Sequence, residues 1–167
     1  MIKFNNLNNL HIFTDCSVNS KIKVGYGAYL VVSDLDQPIN TLKHAVKVKR
    51  FEQTSSTKLE LQTVLWALGE VVLAEGKDIA ISVYTDCQTI IGLPDRRARL
   101  EENNYFSNKN KRLNNYELYQ EFYQLTTDLN CEFIKVTGHQ QSHKKDEIDK
   151  LFGLVYRASR KALREEF

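Results

Sequence analysis

Residues 79–88 read Ile-Ala-Ile-Ser-Val-Tyr-Thr-Asp-Cys-Gln: seven nearly continuous apolar positions (79–85) that end on an acid, Asp86. A run without polar alternation is the pattern of a strand covered on both faces, in the middle of a sheet. Just upstream the period changes. Leu61, Val64, Leu65, Leu68 and Val72 recur at helical spacing, residues 54–57 (TSST) supply start signals, and Gly76 supplies a stop. Further upstream, residues 11–16 and 25–32 (GYGAYLVV) have β-character, and residues 34–38 read as a turn. Residues 41–51 alternate as a third strand, with Leu42, His44, Val46 and Val48 on one side and Lys43, Lys47 and Lys49 on the other. Their short connections predict an antiparallel meander.

Downstream, residues 87–92 read as a short helix closed by Pro94, and residues 114–129 as an amphipathic helix. A fifth strand follows at 131–137 (CEFIKVT), then a terminal helix at 146–166 with Leu151, Leu154, Val155 and Ala158 on one face. The order β-β-β-α-β-α-α-β-α predicts an α/β fold. Its five-stranded mixed sheet has three antiparallel strands, then two added by helical crossovers, with helices on both faces. One domain over residues 1–167 is expected, with 1–9 a loose lead-in.

The net charge is only +2, so composition alone does not announce a nucleic-acid binder. The charges are grouped, however: Arg96, Arg97, Arg99, Lys109, Lys111 and Arg112 in one stretch, and Lys144, Lys145, Arg157, Arg160, Lys161 and Arg164 near the C-terminal end. Cys16, Cys87 and Cys131 are odd in number and lack metal-type spacing, which argues against a disulfide scaffold or a zinc site. With no apolar run near 18 residues and no leader pattern, the expectation is a cytoplasmic protein without membrane contact.

Four acids fall at privileged points. Asp15 ends the first strand inside FTDCS, and Glu60 lies in the first turns of the long helix inside SSTKLEL. Asp86 ends the apolar strand inside VYTDCQ, and Asp149 opens the last helix. Each has a bland reading. Asp15 suits turn chemistry, Glu60 has capping-box spacing from Thr57, and Asp149 meets a helix dipole. As a set they are harder to dismiss, because strand ends and helix starts on one edge of an α/β sheet converge. Clustered carboxylates repel unless cations neutralise them, and hard oxygen ligands select Mg²⁺ or Mn²⁺. Two such ions about 4 Å apart activate water and stabilise the departing oxygen of a phosphodiester.

These residues resemble the ribonuclease H family of the retroviral-integrase-like nuclease superfamily, from about residue 10 to residue 164. FTDCS and GYGAYLVV resemble the family's first strand and its Gly-x-Gly-Ala entry to the second. SSTKLEL resembles the segment with the helical glutamate, VYTDCQ the Thr-Asp-Ser-Gln, and KVTGHQQSHKKDEID the last strand, histidine loop and final aspartate. The resemblance implies Asp15, Glu60, Asp86 and Asp149 as ligands of two Mg²⁺ ions, with Mn²⁺ able to substitute. It implies His139 as a mobile histidine aiding proton movement or product departure, with His143 a competitor. Ser17, Ser55, Ser56 and Gln88 fall at substrate-contacting positions. Arg96, Arg97, Lys109, Lys111 and Arg112 occupy the place of a basic protrusion that grips the DNA strand, where Tyr105 and Phe106 offer stacking faces. The implied reaction is endonucleolytic hydrolysis of the RNA strand of an RNA–DNA hybrid, leaving 5′-phosphate and 3′-hydroxyl ends, with no obligate protein partner.

The departures bear on preference. Cys16 stands where the family has glycine, Cys87 where it has serine, and Ser55–Ser56 where the best-known members carry threonine–asparagine. Alternation on a strand makes Cys16 a small buried residue facing away from the ligand Asp15. Two alternatives stay open: a related nuclease acting on another nucleic acid, and a non-catalytic nucleic-acid-binding module of the same fold.

Overall fold

The computed structural model describes residues 9–137 and 146–167. Five strands form one sheet in the order β3-β2-β1-β4-β5: β1 (Asn9–Asn19), β2 (Val24–Val32), β3 (Lys47–Glu52), β4 (Ala80–Thr85) and β5 (Asn130–Lys135). β1, β2 and β3 pair antiparallel, whereas β4 runs parallel to both β1 and β5. With a strand on each side of it, β4 is buried from Ile81 to Thr85, as its unbroken apolar run requires.

Helices cover both faces. On one, α2 (Ser56–Glu75), α3 (Gln88–Glu102) and α4 (Tyr116–Thr126) enclose a core with Ile12, Val64, Leu68, Ile81, Val83 and Phe122. On the other, α5 (Glu147–Glu166) lays Leu151, Phe152 and Val155 against Phe13, Leu30 and Tyr84. Alternate β1 residues therefore serve opposite cores, Ile12 one and Phe13 the other. This is the expected α/β architecture.

Two glycines seat α2. A Cβ on Gly25 would lie 2.5 Å from Leu59 Cδ2 and 2.7 Å from the Ser17 carbonyl, and one on Gly27 would collide with the Thr63 side chain. Only glycine at these positions lets α2 come so close to β2, and that approach delivers Glu60 to β1 beside Cys16. Ser55 caps α2 by accepting the Lys58 N–H at 3.4 Å, and Gly76 ends it at φ +82°. The cap is therefore Ser55, and the capping-box spacing from Thr57 to Glu60 goes unused.

Two expected elements differ. Residues 41–51 are not one strand. Pro38 opens a helical turn, α1 (Ile39–Leu42), which runs through a 3₁₀ turn at Lys43–Ala45, and only Lys47–Glu52 pairs with β2. The Thr41 N–H and hydroxyl both donate to the Pro38 carbonyl, which fixes that turn. Leu42 and Val46 still reach the core under α5, but from this turn rather than from a strand, and on the edge strand β3 Val48 is 41% exposed. Pro94 likewise does not close a helix, because α3 continues through it to Glu102. Buried Ile90, Leu93 and Leu100 hold both halves of α3 on the same core, and this packing outweighs the missing proline N–H.

Candidate active site

β1 and β4 run side by side, so Asp15 and Asp86, at equivalent points past the paired residues Phe13 and Tyr84, arrive next to each other. Glu60 reaches the same spot from the first turns of α2. One carboxylate oxygen from each of Asp15, Glu60 and Asp86 lies within 4.8 Å of the others. Asp15 Oδ2 and Glu60 Oε2 are buried and have no hydrogen-bond partner among the described residues. Burial first, then the Asp86 charge, pushes the Asp15 carboxyl up to about 7, against the Cys16 N–H and the Arg160 guanidinium. Burial also dominates at Glu60, which is pushed up to about 8 despite a hydrogen bond from Cys16. Three acids held this closely, with unpartnered oxygens, form a pocket suited to a hard divalent cation.

Cys16 corrects its expectation. It does face away from Asp15's side of β1, but that direction is where α2 brings Glu60. Its Sγ donates to Glu60 Oε1 at 3.1 Å, and burial pushes the thiol far above its ordinary range. Sequence alternation gave the direction of this side chain but not its neighbour, which depends on how closely α2 approaches β2.

Asp149 lies in the first turn of α5 and is outside the three-acid group. Its carboxylate accepts the Asp146 N–H at 3.4 Å while Asp146 caps the Asp149 N–H at 2.9 Å. The helix-start reading of Asp149 thus has a structural basis, and it does not exclude a ligand role. His139 and His143 lie outside the described residues.

The other named residues divide by their surroundings. Ser55 caps α2, and Ser56 is exposed beside it. Gln88 Oε1 accepts from Lys135 Nζ at 2.7 Å, placing a β5 lysine beside the site, a pairing with no signal in the sequence. Ser17, on Asp15's face of β1, lies 3.4 Å from Arg160 Nη1. Arg97 is occupied by Glu101 at 3.0 Å, by Thr127 at 2.9 Å and by the Tyr123 ring, while Arg96 is half-buried on the same helix. Lys109 and Lys111 are exposed in the loop after α3. The Arg112 guanidinium lies 4.8 Å from the Phe106 ring centroid and 4.6 Å from that of Tyr116, which makes a basic and aromatic knob. A groove of about 760 Å³ lined by Leu10, Val31, Lys47 and Leu73 lies at the other end of β1 and holds none of these residues.

Comparison with known proteins agrees with this geometry. Residues 7–154 match the family described as RNase H. No curated protein sequence matches the chain. A foamy viral protease–reverse transcriptase solved in complex with double-stranded DNA superposes with a TM-score of 0.59 at 9% identity, over 92% of this chain and 94% of that one. Native prototype foamy virus protease–reverse transcriptase gives 0.67 at 15% identity, over 95% of this chain but only 22% of that chain. At such identities the two structures speak for the fold alone, whereas the family match spans most of the chain. With its five-stranded mixed sheet and converging acids, the chain belongs to the RNase H family.

Proposed function

We propose that this chain is an endonuclease that hydrolyses the RNA strand of RNA–DNA hybrids with two Mg²⁺ ions, leaving 5′-phosphate and 3′-hydroxyl ends. One observation carries the reading: within the family-matched span, three acids from separate elements share a pocket and two of their buried oxygens lack partners. Asp15, Glu60 and Asp86 would hold the ions, with Asp149 completing the set, and Mn²⁺ would substitute. Bound there, the ions supply Lewis acidity and a water acidic enough to attack at neutral pH.

The chain's own groups do the rest. Ser55, Ser56 and Gln88 border the acids at the start of α2 and α3, within reach of groove edges and 2′-hydroxyls. The 2′-hydroxyl is the group that separates RNA from DNA, so selection through it carries little base preference. Lys109, Lys111 and the Arg112 knob supply positive charge for the opposite strand. His139 is assigned proton movement on the resemblance alone. Three unpaired thiols suit a reducing, cytoplasmic setting.

The decisive experiment incubates end-labelled RNA–DNA, DNA–DNA and RNA–RNA duplexes with the protein and Mg²⁺, and resolves the strands on a gel. The expected result is cleavage of the hybrid's RNA strand only. Asp15→Asn or Asp86→Asn should abolish Mg²⁺-dependent cleavage while hybrid binding persists. Equal cutting of all three duplexes, or wild-type rates in either variant, would sink the proposal.

A further inference from the structure

The C-terminal half of α5 carries Arg157, Arg160, Lys161 and Arg164, spaced i, i+3, i+4 and i+7, which is one stripe of a helix. The fold does not need them there, because Leu151, Phe152, Val155 and Ser159 already fill the buried side. Arg157, Lys161 and Arg164 are exposed and Arg160 is half-buried. The nearby acids leave most of this charge unspent. Glu166 turns away to β2 and β3, where it accepts from Tyr26 and takes two bonds from Arg50, at Nε and Nη2, each of 2.8 Å. Glu165 approaches Lys161 only at 4.0 Å, between two well-exposed side chains.

The inner end of the stripe meets the carboxylates. Arg160 rests 4.1 Å from the Tyr156 ring centroid and points Nη1 at Ser17 Oγ, two residues beyond Asp15 on the same strand face. Among the described residues no carboxylate lies within ion-pair distance of it, so neutral partners hold its charge at the edge of the acid pocket. Resting on the nuclease reading above, we propose that this stripe is a track for the phosphate backbone of the bound duplex, leading one strand to the carboxylates. From Arg157 to Arg164 the stripe is about 10 Å long, which matches roughly three nucleotide steps of one strand.

The test measures binding without divalent cation, by anisotropy of a labelled RNA–DNA hybrid and a labelled DNA duplex across a KCl series. For the double variant Arg157→Gln/Arg164→Gln, the slope of log Kd against log salt should be shallower by about 2 on both duplexes, one counterion release per lost contact. The control double variant Lys43→Gln/Lys77→Gln removes the same charge elsewhere and should keep the wild-type slope. All four positions are exposed, and melting midpoints recorded for both variants identify any loss of fold. An unchanged slope in a folded stripe variant, an equal change in the control, or no duplex binding by the wild type would each overturn the track. The nuclease reading fails separately, if the wild type binds duplexes but does not cut the hybrid when Mg²⁺ is restored.

Discussion

Glu60 has two carboxylate oxygens, and the described residues supply a partner for one. Cys16 donates to Oε1, and Oε2 is left buried and unpartnered beside Asp15 and Asp86. Removing the thiol strands the second oxygen, and an unsatisfied buried acceptor costs about 1–3 kcal/mol. Cys16→Ala should therefore destabilise the metal-free protein by about that amount, and Cys16→Ser, which keeps a donor, should recover part of it. Saturating Mg²⁺ should narrow the gap, because the cation then serves the orphaned oxygen. Urea unfolding with and without Mg²⁺ checks this; equal losses for Ala and Ser in both conditions would mean that Cys16 acts by packing alone. At this scale the sequence was informative wherever residues sit on structural punctuation. Asp86 directly follows β4, and Asp15 lies inside β1 just past the point where its pairing with β4 stops, so the two lie side by side once β4 is known to be central. What Cys16 touches could not be read, because alternation gives a direction but not the distance to the next layer.

That distance is set by elements. α2 reaches β2 because Gly25 and Gly27 leave no Cβ in its path, and Leu59 and Thr63 occupy the space. Gly27→Ala pushes a methyl group into Thr63, whose hydroxyl is already tied to the Leu59 carbonyl at 2.7 Å. Overpacking of this kind costs about 1–3 kcal/mol, and the shift should carry Glu60 with it. The expected outcome is a lower melting midpoint together with slower hybrid cleavage. Gly69→Ala, at an open and exposed position of the same helix, should instead stabilise by up to about 1 kcal/mol. If Gly27→Ala melts with the wild type, the glycine seat is not what positions Glu60. β4 and α2 were legible because burial dominates both patterns, as an unbroken apolar run in β4 and as apolar residues recurring at helical spacing in α2. Residues 41–51 and α3 were not, for a common reason: local signals there lost to context. An edge strand need not use its alternation, and a proline is tolerated in a helix whose flanking apolar residues share one core.

Across the whole molecule, the three acids couple folding to both protons and metal. Without cations, Asp15 and Glu60 are pushed up to about 7 and about 8, whereas an unfolded chain releases those protons near pH 4. Between about pH 4 and 8 the folded state therefore holds more protons than the unfolded state, and stability falls as pH rises through that window. The contribution is complete below about pH 4 and lost above about pH 8, where the native fold must hold charged, desolvated carboxylates together. Glu60→Gln removes one such charge while keeping the side chain's shape. In EDTA, then, the wild type should lose stability relative to Glu60→Gln from pH 5 to pH 8, by a few kcal/mol in all. Taking the difference between the two proteins cancels the titrating groups that do not interact with Glu60, and leaves Glu60 with the acids coupled to it. Divalent cations reverse the trend in the wild type: Mg²⁺ competes with protons for the same oxygens, so its stabilising effect should be small near pH 5 and largest near pH 8. Thermal melts of both proteins over this range, with EDTA or Mg²⁺, decide the matter. A pH-independent difference in EDTA, or equal Mg²⁺ stabilisation of Glu60→Gln and wild type at pH 8, would show that these acids neither strain the metal-free fold nor bind the ion.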